Sequence, residues 1–291
     1  MRKLLAKKII KQILPFNYFL GVFLMTIFTN PISAHAKNTP WVVTYSNTNP
    51  IADFSPYKVI VLDNTNHPSL SALQTNEKII LGYLSVGEVN QNRDYFKEVK
   101  NQNLLMHENP NWSGSFTVNI DDVRWVSRIT KQLIPSIINQ GFHGIFVDTL
   151  DIPIHLAATQ PSKFGNMRFA IINLIRDIRT KFPNIKIMIN RAYSILPEIA
   201  SDIDMVLGES VYSTYNFTSK KYELVSNQDY QIQISQLKSL KKQFPKIEIM
   251  TLDYWYPEDQ KGIKLIYDTQ RANGFSPYVA TIELNQIVPG P

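Results

Sequence analysis

Beyond residue 40 the chain alternates between short apolar runs and longer stretches in which apolar and polar positions have a helical period. Several of the short runs are continuously apolar, which is typical of strands buried on both faces of a parallel sheet. Strands that alternate with helices indicate parallel strands joined by helical crossovers. The eight predicted strands are Trp41–Tyr45, Lys58–Asp63, Lys78–Val86, Gly144–Asp148, Lys186–Asn190, Asp204–Glu209, Glu248–Leu252 and Pro277–Ile282.

Four of the longer stretches have the spacing of amphipathic helices. Pro135 lies inside the first of them and predicts a kink or an early end. Gly141 and Gly274 follow the first and the last, at the position where a helix C-terminus favours glycine. The predicted helices are Asp122–Gln140, Phe164–Phe182, Tyr230–Phe244 and Glu258–Asn273.

Eight strands within one domain, residues 37–291, predict an α/β fold of the single (β/α)8 TIM-barrel type. An open doubly wound sheet is the alternative. No Gly-x-Gly-x-x-Gly turn follows the first predicted strand, which weakens a dinucleotide-binding version of that sheet. The stretch Gln91–Phe116 is the least regular, and we interpret it as an elaborated loop after the third strand.

Residues 1–36 have the pattern of a cleavable signal peptide. A basic start is followed by the apolar run Ile13–Phe28 and by the small-residue site Ala34-His35-Ala36. An uncleaved membrane anchor is disfavoured because Pro15 and Asn17 interrupt the apolar segment, which is short for a spanning helix. We therefore expect an exported protein, secreted or periplasmic, with no stable membrane insertion after cleavage.

Charge and cysteine content exclude several classes of function. The chain has 30 basic and 24 acidic side chains, but five basic ones precede residue 37, which leaves 25 against 24. The basic pI therefore belongs to the signal peptide and gives no support for a nucleic-acid partner. With no cysteine, the chain has no disulfide, no thiolate metal site and no cysteine nucleophile.

Acidic residues concentrate at the carboxyl ends of the predicted strands, where a TIM barrel has its active site. A single acid there is often only a helix cap or a turn former. Seven at six strand ends would crowd one mouth and push carboxyl pKa values apart, as a glycosidase needs for its acid and its carboxylate. They are Asp63, Glu88, Asp148, Asp151, Glu209, Asp253 and Glu283; the fifth strand contributes Asn190 and Arg191 instead.

The sequence gives weaker support for other kinds of catalysis. Clustered carboxylates also suit Mg²⁺ or Ca²⁺, so a metal-dependent hydrolase stays an alternative. The histidines show neither a His-x-His pair nor His-Glu-x-x-His spacing, which argues against zinc. No Gly-x-Ser-x-Gly elbow indicates a serine nucleophile. We predict no cofactor and no bound metal.

Aromatic residues accompany the acids. Sugars present C–H faces that pack on aromatic rings, so rings at strand ends favour carbohydrate binding. Tyr83, which lies inside a strand, fits the core equally well. The aromatic residues concerned are Tyr83, Tyr212, Tyr215, Tyr254, Trp255 and Tyr256.

Several of these segments resemble glycoside hydrolase family 114, the endo-α-1,4-polygalactosaminidase-like TIM barrels. Gly82–Glu88 followed by Arg93-Asp94-Tyr95 is similar to the third-strand signature of that family. The matching segments follow in order over nearly the whole of residues 37–291. The others are Gly141–Asp151, Ile189-Asn190-Arg191, Gly208-Glu209-Ser210, Leu252–Trp255 and Gly274–Tyr278.

The resemblance implies a catalytic pair at the ends of the fourth and sixth strands. Here these positions are Asp148, the candidate nucleophile, and Glu209, the candidate general acid/base, with Asp151 as a close rival of Asp148. The chain departs from the family pattern at Val89, in place of alanine, and at Ala192, in place of glycine. The remaining candidates, expected to bind or orient the sugar, are Asp63, Tyr83, Glu88, Asp151, Asn190, Arg191, Tyr212, Asp253, Tyr254, Trp255 and Glu283.

The resulting hypothesis is an exported, endo-acting glycosidase that needs no cofactor and takes a polysaccharide or oligosaccharide of the α-1,4-galactosaminan type as its partner. The alternatives are a non-catalytic carbohydrate-binding barrel and the metal-dependent hydrolase. Retention and inversion both stay open, because they depend on the separation of the two carboxyl groups. The sequence makes no prediction of oligomeric state.

Overall fold

In a computed structural model of the chain, residues 38–74 and 77–291 are described. The predicted signal peptide, residues 1–36, lies outside this part. The described residues belong to one compact unit that runs to Pro291. Within them, no helix combines the length and the apolar character needed to cross a membrane.

The described residues form thirteen strands, eight of which build the barrel. In chain order they are β1 (Trp41–Thr44), β2 (Val59–Leu62), β3 (Ile79–Ser85), β4 (Glu88–Asn90), β5 (Leu105–Glu108), β6 (Ser115–Val118), β7 (Gly144–Asp148), β8 (Lys186–Asn190), β9 (Met205–Glu209), β10 (Ser213–Asn216), β11 (Lys221–Leu224), β12 (Glu248–Tyr254) and β13 (Ser276–Ala280).

The barrel strands are parallel throughout and run in the order β1-β2-β3-β7-β8-β9-β12-β13. This confirms the predicted (β/α)8 architecture. The strand bounds lie within two residues of the predicted ones, because continuous burial on both faces makes these runs easy to recognise. Their side chains are almost fully buried, as for Ile60, Leu81 and Val206.

The seam between β13 and β1 is nearly closed and is bridged by hydrogen bonds. The Trp41 indole Nε1 donates to the Ser276 carbonyl (2.8 Å), and the Thr39 amide donates to Ser276 Oγ (2.9 Å). Farther along, the amide of Tyr45 and the hydroxyl of Thr44 both donate to the carbonyl of Leu284 (2.7 and 3.0 Å). The loop after β13 therefore completes the rim of the barrel.

Ten α-helices surround the sheet in the described residues. They are α1 (Leu70–Leu73), α2 (Phe96–Asn101), α3 (Val123–Arg128), α4 (Ile134–Asn139), α5 (Asp151–Thr159), α6 (Pro161–Phe164), α7 (Met167–Lys181), α8 (Leu196–Ile199), α9 (Asn227–Gln243) and α10 (Gln260–Ala272).

The first predicted helix is divided in the structure. Asp122 caps α3 by accepting from the Arg124 amide, and a π-helical segment, Ile129–Leu133, separates α3 from α4. Pro135, in the first turn of α4, has no amide hydrogen to donate to the preceding turn. The wider π turn accommodates this loss within a continuing helix.

The two predicted glycines follow the ends of helices. Gly141 and Gly274 have φ values of +106° and +82°, in the left-handed region, directly after the last turns of α4 and α10. The short helix α5, which begins at Asp151, was not predicted.

The stretch Gln91–Phe116 is more regular than its sequence predicts. It contains α2 and β5, and it contributes to a three-stranded antiparallel sheet of order β4-β6-β5. We call residues 88–118 the third-strand insertion. A second addition, the antiparallel hairpin β10–β11, follows β9; we call residues 213–224 the sixth-strand hairpin. Both begin at carboxyl ends of barrel strands, so both stand at the same mouth of the barrel.

Candidate active site

The centre of the mouth is organised by a single side-chain amide. Asn190 Nδ2, at the end of β8, donates to Asp148 Oδ1 (2.8 Å) and to Glu209 Oε2 (2.6 Å). Strand register places the three together, since β7, β8 and β9 are neighbours and Asn190 lies beside Leu207, two residues before Glu209. The two carboxyl oxygens therefore lie no farther apart than about 5.4 Å, the sum of these two distances.

Each of the two carboxyl groups also accepts from a tyrosine hydroxyl. Tyr83, on β3, donates to Asp148 Oδ2 (2.9 Å), and Tyr254, on β12, donates to Glu209 Oε1 (2.6 Å). Every carboxyl oxygen of the pair thus has one hydrogen-bond donor. Both carboxyl groups are half-buried, so they remain open to the mouth while their orientation is fixed.

The backbone turns sharply directly after each of the three central residues. Thr149, Arg191 and Ser210 follow them, with φ values of +65°, +51° and +53°. Non-glycine residues in this region are uncommon and cluster at functional sites, where surrounding contacts hold them. Arg191 and Ser210 still donate their amides to the carbonyls of Leu207 and Leu252 (both 2.8 Å), so the chain leaves the sheet only after the site residue.

The loop after β8 has a second unusual residue. Ala192, where the family pattern has glycine, lies at φ +51°. Glycine adopts this backbone conformation without the steric cost that a Cβ imposes. The backbone at position 192 therefore has a conformation that suits glycine, although the residue here is alanine.

The two acids of the pair influence each other electrostatically. Burial, followed by the nearby charge of Glu209, raises the pKa of the Asp148 carboxyl to about 6, although hydrogen bonds from Asn190 and Tyr83 oppose the rise. A second carboxyl group this close disfavours ionisation of Asp148. Around pH 6 the Asp148 carboxyl therefore passes between its protonated and its ionised form.

Asp63 is placed at the mouth but is already engaged. It forms an ion pair with Arg93 (2.6 Å) and accepts from Thr65 and Asn66 in the turn that follows β2. Burial raises the pKa of Asp63, but hydrogen bonds and the charge of Arg93 outweigh it and lower the pKa overall. Arg93 in turn lies over the ring of Tyr83, 5.9 Å from its centroid. The ion pair with Asp63 thus holds Arg93 beside the ring of Tyr83.

Glu88 and Asp151 are close enough for their charges to interact. Glu88 is buried in β4 and accepts from Asn109 Nδ2 (2.8 Å). The pKa of the Glu88 carboxyl is raised overall, by burial first and then by the charge of Asp151, although the hydrogen bond from Asn109 opposes the rise. Asp151 is exposed in the first turn of α5, and the hydrogen bonds that join Asn190 to Asp148 and Glu209 do not include it.

Asp253 lies elsewhere. Its side chain is fully buried and accepts from the amides of Tyr212 (2.6 Å) and Ser213 (2.9 Å) and from Gln270 Nε2 (2.9 Å) on α10. Side chains alternate along a strand, so Asp253 faces the helices while its neighbour Tyr254 faces the pair. The structure therefore gives Asp253 a role in holding the start of the sixth-strand hairpin.

Four further candidates take no part in the hydrogen bonds that hold the pair. Tyr212 packs on Tyr230, with ring centroids 5.4 Å apart, and Trp255 donates to Asp259 at the start of α10 (2.9 Å). Glu283 is exposed in the turn that follows β13, because that strand ends at Ala280. Arg191 is half-buried in the loop after β8.

Sequence reasoning missed Tyr45, Arg93 and Asn109 as site residues. Tyr45 stacks near Tyr83, with ring centroids 5.0 Å apart, and its pKa is raised well above the ordinary value, by burial first and then by the charge of Asp148. The signal was available for Tyr45, which ends the first predicted strand, and for Arg93, which belongs to the family signature. Asn109 lies in the insertion that was interpreted as a loop, and nothing in its sequence context pointed to Glu88.

Within residues 38–74 and 77–291, no group of three or more histidine and carboxylate side chains is arranged to hold a metal ion.

The chain is similar to several known proteins. The model of the glycoside hydrolase family GH114 matches residues 28–290. The glycoside hydrolase domain of PelA from Pseudomonas aeruginosa superimposes with a TM-score of 0.76 at 21% identity, over 86% of this chain and 99% of that domain. A crystal structure of Ega3 from Aspergillus fumigatus in complex with galactosamine gives a TM-score of 0.62 at 15% identity, over 88% and 96% of the two chains.

A similar sequence from Thermotoga maritima is 23% identical over 270 residues, which span 84% of this chain and 81% of that protein. The structural likenesses support the barrel fold, and the family model spans nearly all of the described residues. The chain therefore belongs to glycoside hydrolase family GH114 and is a glycoside hydrolase.

Proposed function

We propose that the protein is an exported enzyme that hydrolyses an amino-sugar polysaccharide of the α-1,4-galactosaminan type, with retention, through Asp148 and Glu209. The observation that carries the proposal is the Asn190 amide, which holds one oxygen of each carboxyl group. A pair that is fixed at one separation and opens onto the barrel mouth is what two-carboxylate hydrolysis needs.

Retention is supported by the separation of the pair. Retaining glycosidases keep their two carboxyl groups about 5–5.5 Å apart, whereas inverting ones leave about 6.5–9.5 Å for a water molecule. The facing oxygens Asp148 Oδ1 and Glu209 Oε2 lie at most about 5.4 Å apart, which leaves less space between them than the inverting separation does.

In the proposed reaction, ionised Asp148 attacks the anomeric carbon while protonated Glu209 gives its proton to the leaving glycosidic oxygen. The first half thus forms an ester between Asp148 and the sugar and releases the shortened chain. Glu209, now ionised, takes a proton from water, whose oxygen attacks the same carbon and restores the Asp148 carboxylate. The family pattern supplies the two roles, and Tyr83 and Tyr254 hold the groups in place.

A cationic amino sugar suits the charge of the mouth. Asp63 is neutralised by Arg93, but the ion pairs of the described residues do not include Asp148, Glu209 or Glu88. An ammonium group on the substrate would complement these carboxylates. The bound galactosamine of the Ega3 complex agrees with this choice of sugar.

The first test is incubation of residues 37–291 with partly deacetylated α-1,4-galactosaminan, followed by mass analysis of the products and NMR of the newly formed anomeric centre. We expect short oligosaccharides whose first-formed reducing ends are α. First-formed β ends would contradict retention, and a stable complex without any product would favour the binding-only barrel.

A metal-dependent reaction is tested in the same assay. We expect EDTA to leave the rate unchanged, because the proposed mechanism uses only carboxyl groups and water. Loss of activity with EDTA and its return with Mg²⁺ or Ca²⁺ would replace the proposal by the metal-dependent alternative.

Chemical rescue assigns the roles. In Asp148→Gly, azide enters from the face vacated by the nucleophile, so we expect a β-glycosyl azide. In Glu209→Gly, azide replaces the activated water and yields an α-glycosyl azide. The opposite pattern would exchange the two assignments.

A further inference from the structure

Two aromatic rings from separate insertions meet at the mouth of the barrel. Trp112 lies between β5 and β6 in the third-strand insertion, and Phe217 lies between β10 and β11 in the sixth-strand hairpin. Their ring centroids are 5.3 Å apart in an edge-to-face arrangement. We call this pair the aromatic bridge.

The bridge joins two loops that start from separate strands of the barrel. Its two loops follow β3 and β9, and in the barrel these strands are separated by β7 and β8. Those two intervening strands end in Asp148 and Asn190. A contact between the two loops therefore spans the strand ends that carry Asp148 and Asn190, and Glu209 ends the flanking strand β9.

Each side of the bridge is anchored to the site by its own loop. In the Trp112 loop, Asn109 donates from its side chain to Glu88 (2.8 Å) and accepts from the Asn111 amide (2.9 Å). The two loop ends are joined because the Asn109 amide donates to the Ser115 carbonyl (2.8 Å). The ring is thus presented by an ordered loop.

On the other side, a row of aromatic contacts runs from Phe217 back to the barrel. Tyr215 packs on Phe217 and on Tyr222, with both pairs of centroids 5.2 Å apart, and Tyr222 packs on Tyr256 at 4.8 Å. Tyr256 lies two residues after Tyr254, which donates to Glu209. The hairpin is therefore linked to the end of β12, where Tyr254 orients Glu209.

Trp112 remains 47% exposed in spite of this contact. A large apolar ring on a loop tip is costly to leave in water and marks a contact site when it lies beside a cleft. The C–H faces of sugar rings pack on such rings, and the proposed substrate is a chain of sugars.

We propose that the aromatic bridge is a clamp for the polysaccharide chain: Trp112 and Phe217 bind sugar units adjacent to the cleaved bond and make productive binding depend on chain length. Because the two rings touch in the free protein, a sugar unit can bind between them only when they separate. This inference rests on the proposed function, since its occupant is the substrate of the catalytic pair.

The test compares Trp112→Ala, Phe217→Ala and the double variant with wild type on long galactosaminan and on the shortest oligomer that is cleaved. The matched control is Phe169→Ala, which removes an aromatic ring that is 62% exposed on α7. We expect kcat/KM on the polymer to fall about tenfold in each single variant and to change less than about twofold on the short oligomer. Circular dichroism checks that the variants are folded.

Changes equal to those of Phe169→Ala on both substrates would overturn the clamp while leaving the proposed function intact. Equal losses on polymer and short oligomer would also overturn it, since they would mean that the loops act on the pair itself. If the wild type neither cleaves nor binds galactosaminan or any other polysaccharide tried, the clamp falls together with the proposed function.

Discussion

Asp148 and Asp253 are two aspartates near the ends of barrel strands, and burial raises the pKa of each to about 6. Their surroundings differ. Asp148 is half-buried and shares a side-chain amide with a second acid, whereas Asp253 is fully buried and accepts from backbone amides and Gln270. A raised carboxyl pKa therefore does not by itself identify a catalytic group. Access to the mouth and a second carboxyl group distinguish the two.

The largest expected difference is in turnover. We expect Asp148→Asn to lower kcat/KM on galactosaminan by about a thousandfold or more, because the amide cannot form the ester. Asp253→Asn keeps an oxygen that accepts from the Tyr212 and Ser213 amides, and we expect its kcat/KM to stay within about threefold of wild type. A large loss in Asp253→Asn with unchanged circular dichroism would remove the distinction.

Asp151→Asn serves as the control for the rival position. Since Asp151 is exposed and lies outside the hydrogen bonds that join the pair, we expect less than a tenfold loss of kcat/KM. A loss as large as that of Asp148→Asn would transfer the nucleophile to Asp151.

The second largest difference is in stability, and it has the opposite direction. Asp253→Ala leaves the buried amides of Tyr212 and Ser213 without an acceptor, so we expect it to lower the free energy of unfolding by about 3 kcal/mol. Asp148→Ala removes a carboxyl that is held close to another acid, so we expect the free energy of unfolding to be unchanged or slightly higher. Urea unfolding at pH 7 measures both, and equal losses would contradict the comparison.

The third difference is in the pH dependence of activity. The pKa of Asp148 is raised in the folded protein, and the proposed nucleophile works only when ionised. We therefore expect kcat/KM to fall about tenfold per pH unit as the pH drops below about 6, in wild type and equally in Asp253→Asn. Activity that falls instead as the pH rises above about 6 would make Asp148 the proton donor.

The same two aspartates also make the free energy of unfolding depend on pH. A carboxyl whose pKa is raised on folding binds its proton more tightly in the native state. The free energy of unfolding therefore falls as the pH rises from about 4 to about 6, and Asp253→Asn removes part of this fall. Thermal unfolding at pH 4, 5, 6 and 7 measures the slope, and a variant with the slope of wild type would contradict the pKa of Asp253.

The smallest expected effect is that of a single donor to the pair. Tyr83 donates to Asp148, and this hydrogen bond lowers the pKa of the carboxyl. We expect Tyr83→Phe to shift the acidic limb of the pH profile upward by less than about one unit, with less than a tenfold loss at pH 8. A downward shift would mean that the hydroxyl favours the protonated carboxyl.

The barrel could be predicted because its strands carry their own signal. Continuous apolar runs such as β7 and β9 are explained only by burial on both faces, and they gave the order of elements without any knowledge of contacts. The convergence of Asp148, Asn190 and Glu209 follows from that order once the barrel is closed.

The rest of the site depends on which way each side chain faces. Side chains alternate along β12, so Asp253 and Tyr254 face opposite sides of the barrel wall. Once either residue is assigned to the mouth, the sequence predicts that the other faces the helices. The ion pair of Asp63 with Arg93 and the contact of Trp112 with Phe217 join segments far apart in the chain. No local pattern encodes such contacts, so only the structure reveals them.

The aromatic bridge has a practical consequence for the choice of expression host. Trp112 and Phe217 each occupy the middle position of an Asn-x-Ser/Thr sequence, which a eukaryotic secretory pathway can glycosylate at Asn111 and Asn216. Asn111 is exposed, so a glycan attached there would stand directly beside the mouth. Bacterial production keeps both loops bare, and Ser113→Ala with Thr218→Ala would do so in yeast or mammalian cells.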